Sequence, residues 1–298
     1  QLYQRGVVAH ENRRTREVLY DMHRNFAAPF SQLNHARDSF ALSGELPDDY
    51  QDKIDPESFF THMGVAGHPF NPSQPLTSAP NNSLIEADPV TQFRDLDFDA
   101  MELMNGTQSY RPERTQALRA DWHALLSQGE RITGTANSDS HDTTQQVALP
   151  RNMVHSASDT LADFDTDAFM KSLRKGAFYG TTGPFLELDF SGAKMGDTYS
   201  GASGILKGRI YSADWVNVDT LEVQLNGRRL ASLDIAPDGR FSIPITSPAD
   251  AYLTLEVSGT AGDIYQAVYP GFFPYAYSNP IYIDADADGI WTPPGLGQ

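Results

Sequence analysis

The chain has 298 residues, enough for two ordinary domains or for one large barrel with an appendage. Its 22 Lys plus Arg stand against 39 Asp plus Glu, a formal charge of −17 with no compensating basic run, which excludes a polyanionic partner such as nucleic acid. The absence of cysteine removes disulfides, thiolate metal sites and cysteine nucleophiles, and no apolar run has the length of a membrane span.

The first residue is Gln1 and the opening stretch does not read as a signal peptide, so an upstream segment is expected. Gly6-Val7-Val8-Ala9 reads as a strand, and residues 15–26 as a helix with Val18, Leu19, Met22 and Phe26 on one face, stopping before Pro29. Residues 30–33 make the next strand, which ends at Asn34-His35. Residues 37–97, rich in Pro, Asn, Ser and acids, are too long for a connector and read as an inserted rim or lid. A strand over 98–104 closes with Asn105-Gly106 and leads to a helix over 112–128 bearing Leu118, Trp122, Leu125 and Leu126, with Gly129 as its stop. The apolar stretch 131–137 then delivers Ser138-Asp139-Ser140-His141, and a helix carrying Phe169, Met170 and Leu173 ends at Gly176.

Beyond Pro184 the period changes to two. Short runs at 185–190, 205–212, 220–225, 229–234, 240–245, 252–258 and 264–268 are split by turn signals, the strongest being Asn226-Gly227. The fold class expected is therefore α/β followed by all-β: a βα unit over 1–184 and a β-sandwich-like unit over 185–298.

Three of the strands in the first unit end in polar clusters, the place where parallel βα architectures gather functional groups. On an extended backbone Asp139 and His141 face the same way, and His35 stands at a corresponding strand end, so that carboxylate and imidazoles suit one Zn²⁺, Mn²⁺ or Fe²⁺ ion. Taken singly, two such residues in a loop more often cap a helix or make solvent contacts than bind a metal. Glu102 is placed beside the metal ligands or at the substrate rim, with Arg37 and Asn105 as substrate-side groups. His10, His62 and His68 are further metal candidates, His68 being equally an ordinary loop residue. No Gly-x-Ser-x-Gly elbow accompanies the serines around His141. Near the tail, Asp284, Asp286, Asp288 and Gly289 copy the first half of a calcium loop, but the twelfth position is Gly295 where a Glu is needed. The stretch therefore reads as a solvated acidic turn in preference to a partial Ca²⁺ site.

Gln32-Leu33-Asn34-His35-Ala36-Arg37, Phe98-Asp99-Ala100-Met101-Glu102 with Asn105-Gly106, Asp121-Trp122 with Leu125-Leu126 and Gly129, and Asn137-Ser138-Asp139-Ser140-His141 together resemble the second half of a PHP-domain metallohydrolase. With Gly183-Pro184 and Gly196-Asp197-Thr198 the order of blocks, spanning residues 7–200, is most similar to the carbaryl-hydrolase-like (CehA/McbA) branch. The resemblance implies a distorted βα barrel with two or three metals that hydrolyses phosphoesters, or carbamate and carboxyl esters, using a metal-bound hydroxide. It also implies that His35, Asp139 and His141 are metal ligands. Ala36 stands where the family has Pro, and the family's opening His-x-His block is missing. The chain is accordingly expected to be the C-terminal part of a longer protein, with the N-terminal segment as a partner, a small ester or phosphoester as substrate, and little activity alone. The alternative is a non-catalytic secreted protein whose β module binds glycan or protein. A periplasmic or secreted location fits the acidic, cysteine-free composition, and the cytoplasm stays open.

Overall fold

The computed structural model describes residues 8, 13–27, 29–34, 36–37, 58–59, 68–106, 112–143 and 145–297. In chain order the elements are α1 (Thr15–Asn25), β1 (Gln32–Leu33), β2 (Ser58–Phe59), β3 (His68–Pro69), α2 (Asn82–Ile85), β4 (Ala100–Asn105), α3 (Pro112–Ser127), β5 (Thr133–Asn137), β6 (Arg151–Val154), α4 (Thr166–Lys175) and β7 (Phe178–Thr181). There follow β8 (Phe185–Phe190), β9 (Thr198–Ser200), β10 (Ser203–Tyr211), β11 (Thr220–Leu225), β12 (Arg228–Asp234), β13 (Arg240–Thr246), β14 (Ala251–Ser258), α5 (Asp263–Val268), β15 (Tyr275–Ser278) and β16 (Ile281–Asp284). The chain is thus mixed α/β and mostly sheet. The strand expected at residues 6–9 lies outside the described residues except for Val8. No helix among the described residues is long and apolar enough to cross a membrane.

Local chemistry explains the element ends. Asp165 caps α4 by accepting from the backbone N–H groups of Asp167 and Ala168 at 2.9 and 3.0 Å, and Gly176 ends the helix at φ 81°. The first turn of α1 is held from outside: Asp95, fully buried, accepts from the Arg16 N–H at 2.9 Å and pairs with the Arg14 guanidinium. That contact docks the end of the 68–99 segment on α1.

Strands β1, β4 and β5 form a parallel sheet in chain order, with α3 as the crossover between β4 and β5. Every residue of β4 is buried. Helix α3 is buried on more than one side, with Leu118, Trp122, Leu125 and Leu126 on one face and Asp121, Ala124 and Ser127 beyond it, because it lies between this sheet and a second one.

The second sheet has the order β12-β11-β14-β15-β7-β6, with β16 on β14 and β9 on β16. Alternation along its strands divides two cores. Tyr252, Tyr275, Tyr277 and Tyr282 join the core around α3, whereas Leu253, Leu255, Val257, Ala276, Ile281 and Ile283 join a core shared with the third sheet, β13-β10-β8. Leu186, Leu188, Phe190, Leu206, Ile210 and Ile245 supply the facing side of that second core. The hairpin between β11 and β12 turns through Asn226 and Gly227 at φ 55° and 72°, the two-residue geometry their sequence foretells.

Two expectations meet a different arrangement. Residues 264–268 form helix α5 instead of a strand: Tyr265 is buried and packs with Tyr269 one turn on, while Ile264 and Val268, which carried the alternation, face outward. Strands β6 and β7, which precede the expected boundary at residue 184, hydrogen-bond into the sheet of the second unit, β7 pairing with β15. The sheet is continuous across that point because the chain returns: β15 comes from residues 275–278.

The two units are also joined by side-chain amides. In a parallel pair alternate residues direct both backbone groups to the same side, so Gly134 and Ala136 of β5 point away from β4. Asn279 accepts from the Gly134 N–H at 2.7 Å and donates to the Gly134 and Phe178 carbonyls at 3.2 and 3.0 Å. Asn152 on β6 does the same for Ala136, accepting at 2.9 Å and donating at 2.8 Å. The edge of the parallel sheet is closed by amides of the antiparallel one.

Candidate functional site

The carboxyl ends of β4 and β5 carry a buried polar cluster. A bulge between Glu102 and Met104 adds Leu103 to β4, so that Met104 opposes Ala136. In a regular strand residues 102 and 105 would face opposite ways; the extra residue turns them to one side, and Asn105 donates to Glu102 Oε2 at 3.2 Å. Asn137 at the end of β5 donates to the other oxygen, Oε1, at 2.9 Å. Glu102 is 2 % exposed and Asn105 5 %. The Glu102 carboxylate is therefore fixed by two amides at the rim where the strands end. Asn137 carried no role in the sequence reading; its signal is its place in register with Asn105 across the β4–β5 ladder.

Asp139 and His141 lie two and four residues past β5, in loop backbone and not on the strand, so strand alternation does not orient them. The structure nonetheless brings them together. Asp139 sits at φ 50°, and the turn this makes places His141 Nε2 3.6 Å from Asp139 Oδ1. His141 Nδ1 is 2.6 Å from the Asp139 backbone carbonyl. A carbonyl only accepts, so Nδ1 carries a proton and Nε2 is the ring nitrogen beside the Asp139 carboxylate. Two ligands bonded at about 2.1 Å to one tetrahedral ion lie about 3.4 Å apart, which the 3.6 Å spacing approaches. The pair fits two positions of a divalent metal. Among the described residues no third His, Asp or Glu completes that group.

His35, His10 and His62 lie outside the described residues, as does the side chain of His68. Arg37 is engaged in the fold: its guanidinium pairs with Asp121 on α3, with one donor–acceptor distance of 2.9 Å, and donates to the Phe70 carbonyl at 3.0 Å. Burial pushes the Asp121 carboxyl up to about 6, against the pull of the Arg37 charge. Two residues on, His123 stacks on Tyr252 of β14, with ring centroids 5.9 Å apart. Burial, and then the Arg119 charge, hold its imidazole down at about 3.

A second acidic cluster lies at the end of β16. Asp250, Asp284 and Asp286 bring carboxylate oxygens within 4.8 Å of one another. Asp288, expected as a member, instead accepts from the Ile290 N–H at 2.7 Å. The Asp288 N–H draws the Asp286 carboxyl down, but the desolvation it meets and the neighbouring Asp288, Asp284 and Asp250 carboxyls together set it above the ordinary value. Asp250 was not legible as a partner, since it stands 34 residues before Asp284 and meets it only through the β14–β16 pairing.

A groove of about 1060 Å³ opens among β6, β8 and β10, lined by Met153, Met195 and Phe241 together with Lys207, Arg209 and Arg240. Lys207 and Arg240 face acids, at 3.8 Å from Asp189 and 3.6 Å from Asp238.

No family model matches the chain, and no curated protein matches it. Among solved structures, a lytic polysaccharide monooxygenase of Jonesia denitrificans is 16 % identical over 55 % of this chain and 92 % of its own, with a TM-score of 0.21. An engineered protein is 16 % identical over 62 % of this chain and 41 % of its own, with a TM-score of 0.22.

Proposed function

We propose that the chain belongs to a metal-dependent hydrolase of the PHP type acting on a phosphoester or a carboxyl or carbamate ester, with Asp139 and His141 as metal ligands and His35 as a third. The observation that carries this reading is the 3.6 Å approach of His141 Nε2 to Asp139 Oδ1 at the carboxyl end of a parallel strand. The chain-order sequence β1-β4-β5 supports a βα barrel as the parent architecture, because barrel strands neighbour one another in that order. A divalent metal held by this pair would acidify water and polarise the oxygen of the scissile group. The chain's own residues provide the frame: Asn105 and Asn137 fix the Glu102 carboxylate at the rim, and the Nδ1–H bond to the Asp139 carbonyl holds the His141 ring with Nε2 beside the Asp139 carboxylate. Arg37, paired with Asp121, acts as a positioning residue and not as a substrate contact.

The test is metal content and metal affinity of the purified chain, with a screen of phosphodiester and aryl-ester substrates alongside. Zn²⁺ or Mn²⁺ is expected to bind, and Asp139→Asn and His141→Ala are each expected to weaken it by more than about 10-fold, the loss that removal of even a residue supporting a ligand brings. Affinity unchanged in both variants rejects the reading. A second reading, favoured by the groove beside β8, is that the β module binds a glycan or protein without catalysis. Ligand binding that survives both substitutions and is lost on mutation of Arg209 or Phe241 would favour it.

A further inference from the structure

We propose that the loop after β16 is a calcium site built from Asp250, Asp284 and Asp286, and that the bound ion pins the C-terminal tail across the joint between the two units. The loop has Asp at its first, third and fifth positions and Gly at its sixth, and the structure folds it accordingly. Gly289 turns at φ 89° and its N–H donates to Asp284 Oδ2 at 3.0 Å. This bond commits one oxygen of Asp284 and leaves the other, Oδ1, buried with no hydrogen-bond partner, in a side chain only 2 % exposed. A buried carboxylate oxygen without a donor is costly, and two further carboxylates within 4.8 Å raise that cost by repulsion. One hard cation relieves both.

Asp250 removes the objection raised by the sequence. The twelfth loop position, Gly295, has no carboxylate, but Ala251 pairs with Ile283 across β14 and β16, which sets Asp250 opposite Asp284. The missing acid is thus supplied from a neighbouring strand. An all-oxygen donor set of carboxylates, to be completed by loop carbonyls and water, suits Ca²⁺ better than Zn²⁺, whose sites usually include nitrogen or sulfur ligands. An irregular loop also suits the adaptable shell of Ca²⁺ better than the strict octahedron of Mg²⁺.

The site stands at the root of the tail. Asp250 accepts from the N–H groups of Ala285 and Thr292 at 2.7 and 2.6 Å, so both limbs of the loop hang on one ligand residue. Trp291 donates its indole N–H to the Ala251 carbonyl at 2.8 Å, and its ring meets Tyr282 edge-on at 4.9 Å. Arg131, two residues before β5, lies over both rings at 4.2 and 4.8 Å. Beyond it the Gly295 N–H donates to the Ser127 carbonyl at the end of α3, at 2.7 Å. An ion at Asp284 therefore orders a strap that runs from the second sheet to the helix and strand of the first unit.

The experiment uses the full chain stripped with chelator and then titrated with Ca²⁺, read by terbium luminescence, thermal unfolding and limited proteolysis. Calcium is expected to displace Tb³⁺, raise the melting temperature and protect residues 285–297 from cleavage. Asp284→Asn and Asp286→Asn should each weaken Ca²⁺ binding about tenfold or more. Asp286 is exposed, so its variant reports on the ion even if Asp284→Asn fails to fold. A melting shift reproduced by Mg²⁺ at equal ionic strength and retained in Asp286→Asn overturns the site. Specific binding with an unprotected tail overturns the strap.

Discussion

The parallel sheet β1-β4-β5 and the eight-stranded sheet satisfy their backbones by different means. In the large sheet, β11 and β14 pair residue by residue over six positions, and alternating side chains separate its two cores. The small sheet ends at β5, whose outward groups are met by Asn279 and Asn152, side chains carried by the region around the other sheet. The unit that bears the candidate metal ligands is therefore not closed by its own strands. Removing Asn279 should break this dependence most severely. Asn279→Ala leaves the Gly134 N–H and the Gly134 and Phe178 carbonyls without that partner in a buried setting, and about 3–5 kcal/mol of unfolding free energy should be lost, read from urea midpoints. Asn152→Ala, less buried, should cost about 2 kcal/mol. A loss below about 1 kcal/mol for Asn279→Ala would mean that the two regions stand independently.

The same contrast decides what the sequence disclosed. Strands β8 and β11 and the Asn226-Gly227 turn were legible because a two-residue period and a φ-positive dipeptide are local signals. Helix α4 was legible from its acidic start and Gly176 stop. What joins the units was not. The amides of Asn152 and Asn279, the membership of β6 and β7 in the large sheet and the approach of Asp250 to Asp284 are pairings between distant segments, with no local pattern to announce them. Residues 264–268 misled because Ile264 and Val268 mimic alternation, whereas the packing is decided by Tyr265 and Tyr269 against Trp215. At the candidate site the residue types were readable at Glu102, Asp139 and His141. The β4 bulge and the φ of Asp139, which set their geometry, were not.

A pH experiment probes the joint more gently. His123, on α3 against Tyr252, is held at about 3 in the folded protein, below its ordinary 6.5. Below pH 6.5 the unfolded chain takes up a proton that the folded chain refuses, so this group's contribution is complete above 6.5 and is lost as pH falls toward 3. Asp121 acts oppositely: raised from 3.8 to about 6, it contributes fully below 3.8, and the contribution is lost as pH rises through 6. His123→Asn should therefore lose about 2 kcal/mol less than the parent chain between pH 7 and pH 5, by denaturant melts at each pH. Asp121→Asn should steepen the acid loss. Equal slopes in the parent chain and His123→Asn would show that the imidazole is protonated freely in the fold.

The smallest stability effect is expected where the chemistry is proposed. Asp139 holds a left-handed backbone at φ 50°, a conformation that costs most residues about 1 kcal/mol and costs glycine nothing. If Asp139 were there to support the fold, Asp139→Gly would be destabilising by several times that amount, as Asn279→Ala is. If it is there for a metal, relief of the backbone should offset the lost side-chain contacts, leaving stability within about 1 kcal/mol while metal affinity collapses. Asn tolerates the same φ, so Asp139→Asn separates the roles further: it keeps the turn that brings His141 within 3.6 Å and removes only the charge. A large stability loss in the glycine variant with metal affinity intact would move Asp139 from the strand-end site into the scaffold, and the contrast between a functional rim and a structural sheet would go with it.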